Sequence, residues 1–153
     1  MRTLGAVVAA LHYLALAIGL PAIWHRAHLL GGPLERDRLR RVFAADSVWG
    51  IAAVLWLLTG ALRAFGGLEK GAGFYLSSWL FYLKLGLVAL IFALEVLPMV
   101  GLIRWRVALS RGREPDVSRA RLYRSLSFVQ CAIVVGVVFV ATFMTRGFGR
   151  MGR

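Results

Sequence analysis

The chain has 153 residues, 59% of them hydrophobic, and carries a formal net charge of +12. Its apolar residues form long blocks, a composition typical of membrane proteins and not of soluble cores. The positive charge does not indicate a nucleic-acid partner, because no surface of interleaved aromatic and basic residues accompanies it. A single cysteine, Cys131, excludes an internal disulfide.

Four apolar blocks are long enough to cross a hydrocarbon core of about 30 Å, which takes about 20 helical residues. We predict transmembrane helices at about residues 4–24, 42–62, 76–103 and 125–145. Lipid offers the backbone no hydrogen-bond partners, so helices are favoured, and the period-2 alternation of barrel strands is missing. Short connections make successive helices antiparallel neighbours. The sequence therefore predicts an all-α, single-domain integral membrane protein folded as a four-helix up-down bundle.

Basic residues are unequally distributed between the two sides of this predicted bundle. The segment from 25 to 41 carries five arginines and the segment from 104 to 124 carries seven. The opposite side carries six basic residues, namely Arg2, Arg63, Lys70, Arg146, Arg150 and Arg153. By the positive-inside rule, the two Arg-rich loops face the cytoplasm and both termini lie outside a bacterial inner membrane. Such loops also suit contacts with anionic lipids.

Few polar residues lie within the predicted spans: His12, Asp46, Lys84, Glu95 and Gln130. Each charge at this depth costs at least ~2.5 kcal/mol, so such groups usually face the bundle interior and find a partner. Lys84 and Glu95 share one helix face within roughly 20° but lie about 16 Å apart along the axis, so they cannot touch. Each needs a partner on another helix, although Lys84 could instead extend its stem outward to the interface.

Depth along the helices suggests which polar residues meet. His12 and Lys84 are both about eight residues in from the outer ends of their helices, which predicts an outer His/Lys site. Asp46 lies near the level of Glu95, which predicts an inner carboxylate pair.

Two alternatives for the inner carboxylates stay open at this stage. Asp46 follows an Arg-rich loop and could pair with Arg40 or Arg41 at the start of its helix. Glu95 could be neutral and hydrogen-bonded to Asp46 or to Gln130.

His12 is the only histidine within a span, and a neutral imidazole in lipid is an available metal or haem-iron ligand. His25 and His28 stand one turn apart beyond the first span, a spacing compatible either with a metal site or with interfacial histidines. The sequence contains no phosphate-binding glycine loop, nucleophile elbow or cysteine pair.

Short motifs spread over most of the chain carry a family resemblance: Leu11-His12, Ala45-Asp46 with Gly50, Thr59-Gly60 with Arg63, Lys70-Gly71 with Tyr75, and Lys84-Leu85. Together they resemble a family of small four-helix bacterial membrane proteins of unknown function. That family is similar in turn to the HemJ-type protoporphyrinogen oxidases and to CopD-like copper-resistance membrane proteins. The segment WLFYLKLGLV, residues 79–88, resembles HemJ, with Lys84 in the place of the HemJ lysine; Tyr82 stands where HemJ proteins commonly have a histidine.

The resemblance implies a bundle that binds b-type haem, with His12 as an axial ligand. Lys84, Arg63 and Lys70 would pair with the haem propionates. The second face of the haem would be approached by Tyr82 or Met144.

The function implied is a membrane redox protein, an oxidase of a porphyrinogen-like or quinone-like reductant. Electrons would leave through the haem while Lys84, Glu95 or Asp46 handled protons. Two other functions are compatible with the same residues. One is CopD-like transport of a metal or small solute along a polar path lined by His12, Asp46, Lys84 and Glu95. The other is a noncatalytic membrane subunit, and small-residue helix faces leave a homo-oligomer open.

Overall fold

The computed structural model describes residues 2–68 and 71–151, with Arg2 described by its backbone alone. The helices are α1 (Arg2–Leu29), α2 (Arg36–Phe65), α3 (Ala72–Leu76), α4 (Trp79–Ser110) and α5 (Ala120–Thr145). Within these described ranges α1, α2, α4 and α5 are long and apolar enough to cross a membrane, and no β-strand occurs. The predicted all-α fold with four spans is confirmed.

The outward faces of the long helices are apolar, as a lipid-facing surface requires. Ile51 is 72% exposed and Phe139 is 61% exposed, and many other large apolar side chains share this exposure. A contiguous apolar surface of this kind would be unstable in water and fits a bilayer instead.

The long helices continue beyond the predicted spans at the Arg-rich end. The α1 helix does not stop at Trp24 but runs to Leu29, and α2 already begins at Arg36. His25 and Arg26, which we predicted in a loop, are therefore helical. Arginine is a good helix former, so polarity alone does not end a helix, and the chain turns only in the segment containing Gly31-Gly32-Pro33.

The four long helices pack in the spatial order α2, α1, α5, α4. The α1 helix packs along both α2 and α5, α5 also packs along α4, and α2 meets α4 only locally. Gly19 allows a close approach of α1 to α2, because a Cβ there would lie 3.2 Å from the Trp49 ring. The weak contact between α2 and α4 leaves an opening in the side of the bundle.

The two ends of the bundle differ in their connections. We call the end with segments 30–35 and 111–119 the basic end, and the opposite end the α3 end. Three buried apolar clusters fill the bundle from one end to the other. The central one consists of Ala15, Ala22, Ile23, Trp49, Ala53, Trp56, Ile91, Cys131, Val134 and Val137. A second cluster at the basic end includes Leu39, Leu102 and Tyr123, and a third at the α3 end includes Tyr75, Phe81 and Met144.

Candidate functional site

His12 lies on α1 in the half of the bundle near the α3 end, where α2 fixes its imidazole ring. Its Nδ1 is 2.9 Å from Thr59 Oγ1 and 3.1 Å from the Trp56 carbonyl oxygen. The Thr59 hydroxyl donates a hydrogen bond to the Leu55 carbonyl oxygen at 2.6 Å, so the Thr59 oxygen acts as an acceptor toward His12. This network assigns a proton to Nδ1 of the imidazole.

Two neighbouring residues give the ring its space and its orientation. The Trp56 ring stacks on the imidazole, with centroids 5.9 Å apart and an interplanar angle of 23°. Gly60 leaves room for the ring edge, because a Cβ at this position would lie 3.2 Å from His12 Cε1. The motif Thr59-Gly60 thus has two roles. The Thr59 hydroxyl binds the His12 ring, and the absence of a side chain at Gly60 leaves room for it.

Two adjoining cavities of about 150 Å³ each open beside His12, and together we call them the His12 cavity. The described residues that line both parts are His12, Trp56, Gly60, Ala64, Lys84 and Val137. One part extends toward α5, where Arg63 and Met144 also line it. The other part lies between α2 and α4, at the side opening described above.

The structure brings four of the predicted cofactor-site residues to this cavity. His12, Lys84, Arg63 and Met144 line it. Tyr82 lines neither part; it is 51% exposed, and its hydroxyl donates to the Leu76 carbonyl at 3.2 Å. The prediction that Tyr82 approaches a haem therefore gains no support from this arrangement. Lys70 lies outside the described residues.

The cations at the cavity lie against aromatic rings. The Lys84 ammonium is 5.2 Å from the Phe81 ring centroid and 5.9 Å from that of Tyr75. The Arg63 guanidinium lies 5.0 Å from the Tyr13 ring centroid. Contacts of this type stabilise a positive charge where water is scarce. Lys84 thus stays beside the cavity, and the expectation that it extends outward to the interface is not needed.

The inner polar site is built around Arg26, which the sequence analysis placed in a loop. Arg26 is fully buried. Its Nη1 donates to Asp46 Oδ1 at 2.8 Å and to Glu95 Oε1 at 2.6 Å. Its Nη2 donates to Glu95 Oε2 at 2.8 Å and to Gln130 Oε1 at 3.1 Å, and its Nε donates to Ser127 Oγ at 3.2 Å. All five guanidinium N–H groups are therefore used.

The partners of Arg26 are themselves satisfied. Asp46 Oδ2 accepts a hydrogen bond from Arg106 Nη2 at 2.9 Å. Gln130 Nε2 donates to Glu95 Oε2 at 2.8 Å and to the Ile91 carbonyl at 3.0 Å. We call this set the ionic cluster: Arg26, Asp46, Glu95, Arg106, Ser127 and Gln130. It connects all four long helices, and its two arginines balance its two carboxylates.

These contacts correct the predictions for the inner site. Asp46 pairs with Arg26 and Arg106, not with Arg40 or Arg41. Asp46 and Glu95 meet at this level, but Arg26 stands between them. The two terminal nitrogens of the Arg26 guanidinium each donate to a different oxygen of Glu95. This bidentate geometry is that of an ionised carboxylate and not of a neutral acid. Of the two partners that we considered for a neutral Glu95, Gln130 does contact it, but as a donor to the carboxylate oxygen Oε2.

A signal for Arg26 was present in the sequence. His12, Ala15, Gly19, Ala22 and Arg26 follow one another at alternating steps of three and four residues. Such spacing places them on a single face of α1, and the small residues mark this as the face that packs. Arg26 therefore points inward because it continues the stripe on which His12 lies.

Neither polar site resembles a chelating centre for a bare metal ion. Within residues 2–68 and 71–151, no group of three or more His, Cys, Asp or Glu side chains could hold a metal ion. His28 is exposed, and its Nδ1 lies 3.0 Å from the Trp24 carbonyl oxygen. The predicted spacing of His25 and His28 thus lacks the further ligands that a metal site needs.

Comparison with known proteins places the chain in one family. The profile of DUF2214, described as a predicted membrane protein, matches residues 4–149, so the chain belongs to this family. No curated protein matches the sequence. No solved structure matches it either.

Proposed function

For this membrane protein of the DUF2214 family, we propose a redox function in which His12 is an axial ligand of a b-type haem. The observation that carries the proposal is the fixing of His12 Nδ1 by Thr59 and the Trp56 carbonyl at the wall of a cavity. A histidine that donates its other ring nitrogen in this way has its tautomer and ring orientation set for ligation.

The donor set suits this cofactor better than it suits a bare metal ion. A porphyrin supplies four nitrogens of its own, so the protein needs to provide only one or two axial ligands. His12 and the buried Met144 line the same cavity, as do Lys84 and Arg63, whose charges suit carboxylate groups. The two parts of the cavity, at about 150 Å³ each, are below the usual volume of ligand pockets, so loading must widen the opening between α2 and α4.

When bound, such a haem supplies one-electron transfer. Of the chain's own groups, Lys84 lines the cavity and can hold a proton or orient an anionic part of a reductant. The predicted proton-handling role of Glu95 and Asp46 loses support, because Arg26 engages both carboxylates. A porphyrinogen-like or quinone-like reductant remains the proposed substrate class, because exposed apolar side chains, Leu57, Phe65 and Leu85, line the side opening.

Transport along a polar path is the alternative, and the packing argues against it. Each long helix contributes residues to the central apolar cluster between the His12 cavity and the ionic cluster, with Trp49 and Trp56 the largest. An ion or polar solute would have to cross this apolar layer. Copper would also prefer soft ligands, and Met144 is the one sulfur-containing residue among the described residues that line the His12 cavity.

The test of the haem proposal is a reduced-minus-oxidised visible spectrum with a haem assay, on protein purified after haem-replete expression. We expect a b-type spectrum that His12→Ala abolishes. His28→Ala is the matched control, because His28 also has its Nδ1 within hydrogen-bond distance of a backbone carbonyl but lies away from the cavity. A folded wild-type protein without a haem spectrum would end the proposal.

We further propose that the basic end faces the cytoplasm of a bacterial inner membrane. Of the twelve arginines at that end, Arg26 and Arg106 are paired in the ionic cluster. The other ten still outnumber the six basic residues at the opposite end, so the positive-inside rule places the basic end in the cytoplasm. Modification of an Arg41→Cys variant by a membrane-impermeant thiol reagent in intact cells would contradict this orientation.

A further inference from the structure

A second kind of cavity lies at the basic end, between the end of α4 and the start of α5. Its volume is about 420 Å³, within the range of ligand pockets and larger than either part of the His12 cavity. Its charged lining residues are Arg104, Arg113, Glu114, Asp116 and Arg119. We call it the loop pocket.

The loop pocket combines three guanidinium groups with two carboxylates, and none of them is neutralised by an ion pair. The ion pairs in the described part of the chain involve other side chains. A hydrogen bond from the Ser118 backbone N–H, with a smaller contribution from Arg119, holds the pKa of Asp116 below its usual range. Asp116 therefore remains an anion, and the pocket offers both signs of charge to a ligand.

The position of the loop pocket along the chain places it at the level of lipid headgroups. Arg104 directly follows the apolar stretch that ends at Ile103. Trp105 and Tyr123 form the buried wall, with ring centroids 5.5 Å apart, and aromatic rings of this kind concentrate at the membrane–water interface. Basic pockets between transmembrane helices at this depth suit lipid phosphates.

We propose that the loop pocket binds the headgroup of a zwitterionic phospholipid that carries a primary ammonium group. The phosphate would lie against Arg104, Arg113 and Arg119, because planar guanidinium groups match phosphate oxygens. The ammonium would donate hydrogen bonds to Glu114 and Asp116. The two carboxylates are what select this headgroup, since they repel a purely anionic one.

Native mass spectrometry of the full-length protein in detergent, with equal amounts of phosphatidylethanolamine and phosphatidylglycerol, tests the proposal. We expect wild type to retain phosphatidylethanolamine about fivefold better. Glu114→Gln with Asp116→Asn should reverse the preference, because it raises the formal charge of the pocket side chains from +1 to +3. Arg113→Gln with Arg119→Gln should lose both lipids.

Arg40→Gln with Arg41→Gln is the matched control, because it removes the same charge at the same end from exposed residues outside the pocket. It should keep the wild-type preference. Three outcomes would each overturn the proposal. Wild type could retain the two lipids equally, wild type could prefer phosphatidylglycerol, or the control could lose as much lipid as the pocket variants. Displacement of the lipid by millimolar inorganic phosphate would overturn it too, and would indicate a free-phosphate site.

Discussion

The ionic cluster and the His12 cavity contain the intramembrane polar residues of this protein and use them in opposite ways. In the ionic cluster every N–H group of Arg26 has a partner, and opposite charges balance. At the His12 cavity the Nδ1 of the imidazole is fixed by Thr59 and the Trp56 carbonyl, and the ring borders a cavity. A saturated network has no donor left for a ligand and therefore stabilises the fold, whereas a fixed ring beside a cavity is prepared for one.

The largest effect should come from breaking the ionic cluster. Arg26→Met leaves Glu95 buried without its cation, and removing one partner of a buried pair costs about 3–5 kcal/mol. We expect a lower unfolding midpoint in detergent and less protein in the membrane. Adding Glu95→Gln should restore much of the stability, because Asp46 keeps Arg106 and Gln130 keeps a polar partner. If Arg26→Met is as stable as the exposed control Arg41→Met, the structural interpretation of the cluster is wrong.

A smaller effect, confined to ligand binding, should follow from Thr59→Val. The change removes the hydroxyl that accepts from His12 Nδ1, but the Trp56 carbonyl remains. Loss of such an outer partner typically costs 10–100-fold in metal affinity, and we expect the lower end, about tenfold faster loss of haem to a scavenging globin. Thr142→Val is the control: Thr142 lines the same cavity, but its hydroxyl donates to the Val138 carbonyl. Equal haem loss from both variants would refute the role of Thr59.

The smallest effect distinguishes two glycines of α2. A methyl group at Gly60 would lie 3.2 Å from His12 Cε1, whereas one at Gly50 would meet nothing within 4 Å. We expect Gly60→Ala to speed haem loss about threefold by tilting the imidazole. Gly50→Ala should leave haem binding unchanged, and it removes a helix-interior glycine that costs roughly 0.5–1 kcal/mol relative to alanine. The same scavenging assay on both variants compares them, and equal rates would show that Gly60 does not position the ring.

Sequence reasoning located the residues of the outer site better than those of the inner one. His12, Lys84, Arg63 and Met144 were singled out by depth or by resemblance, and all four line one cavity. Hydropathy does not reveal Arg26, because the apolar block ends at Trp24 whereas the helix continues to Leu29. The α1 stripe of small residues that continues to Arg26 carried the information, but hydropathy averages over all faces and conceals it.

The sequence by itself determined that this protein spans a membrane as four helices, because long apolar blocks leave the backbone no other way to satisfy its hydrogen bonds in lipid. It also determined that the few polar residues within the spans must face one another. Only the tertiary structure decided which of them meet. That choice depends on how α1 packs between α2 and α5, since this packing brings Arg26 between two carboxylates and separates α2 from α4 beside His12.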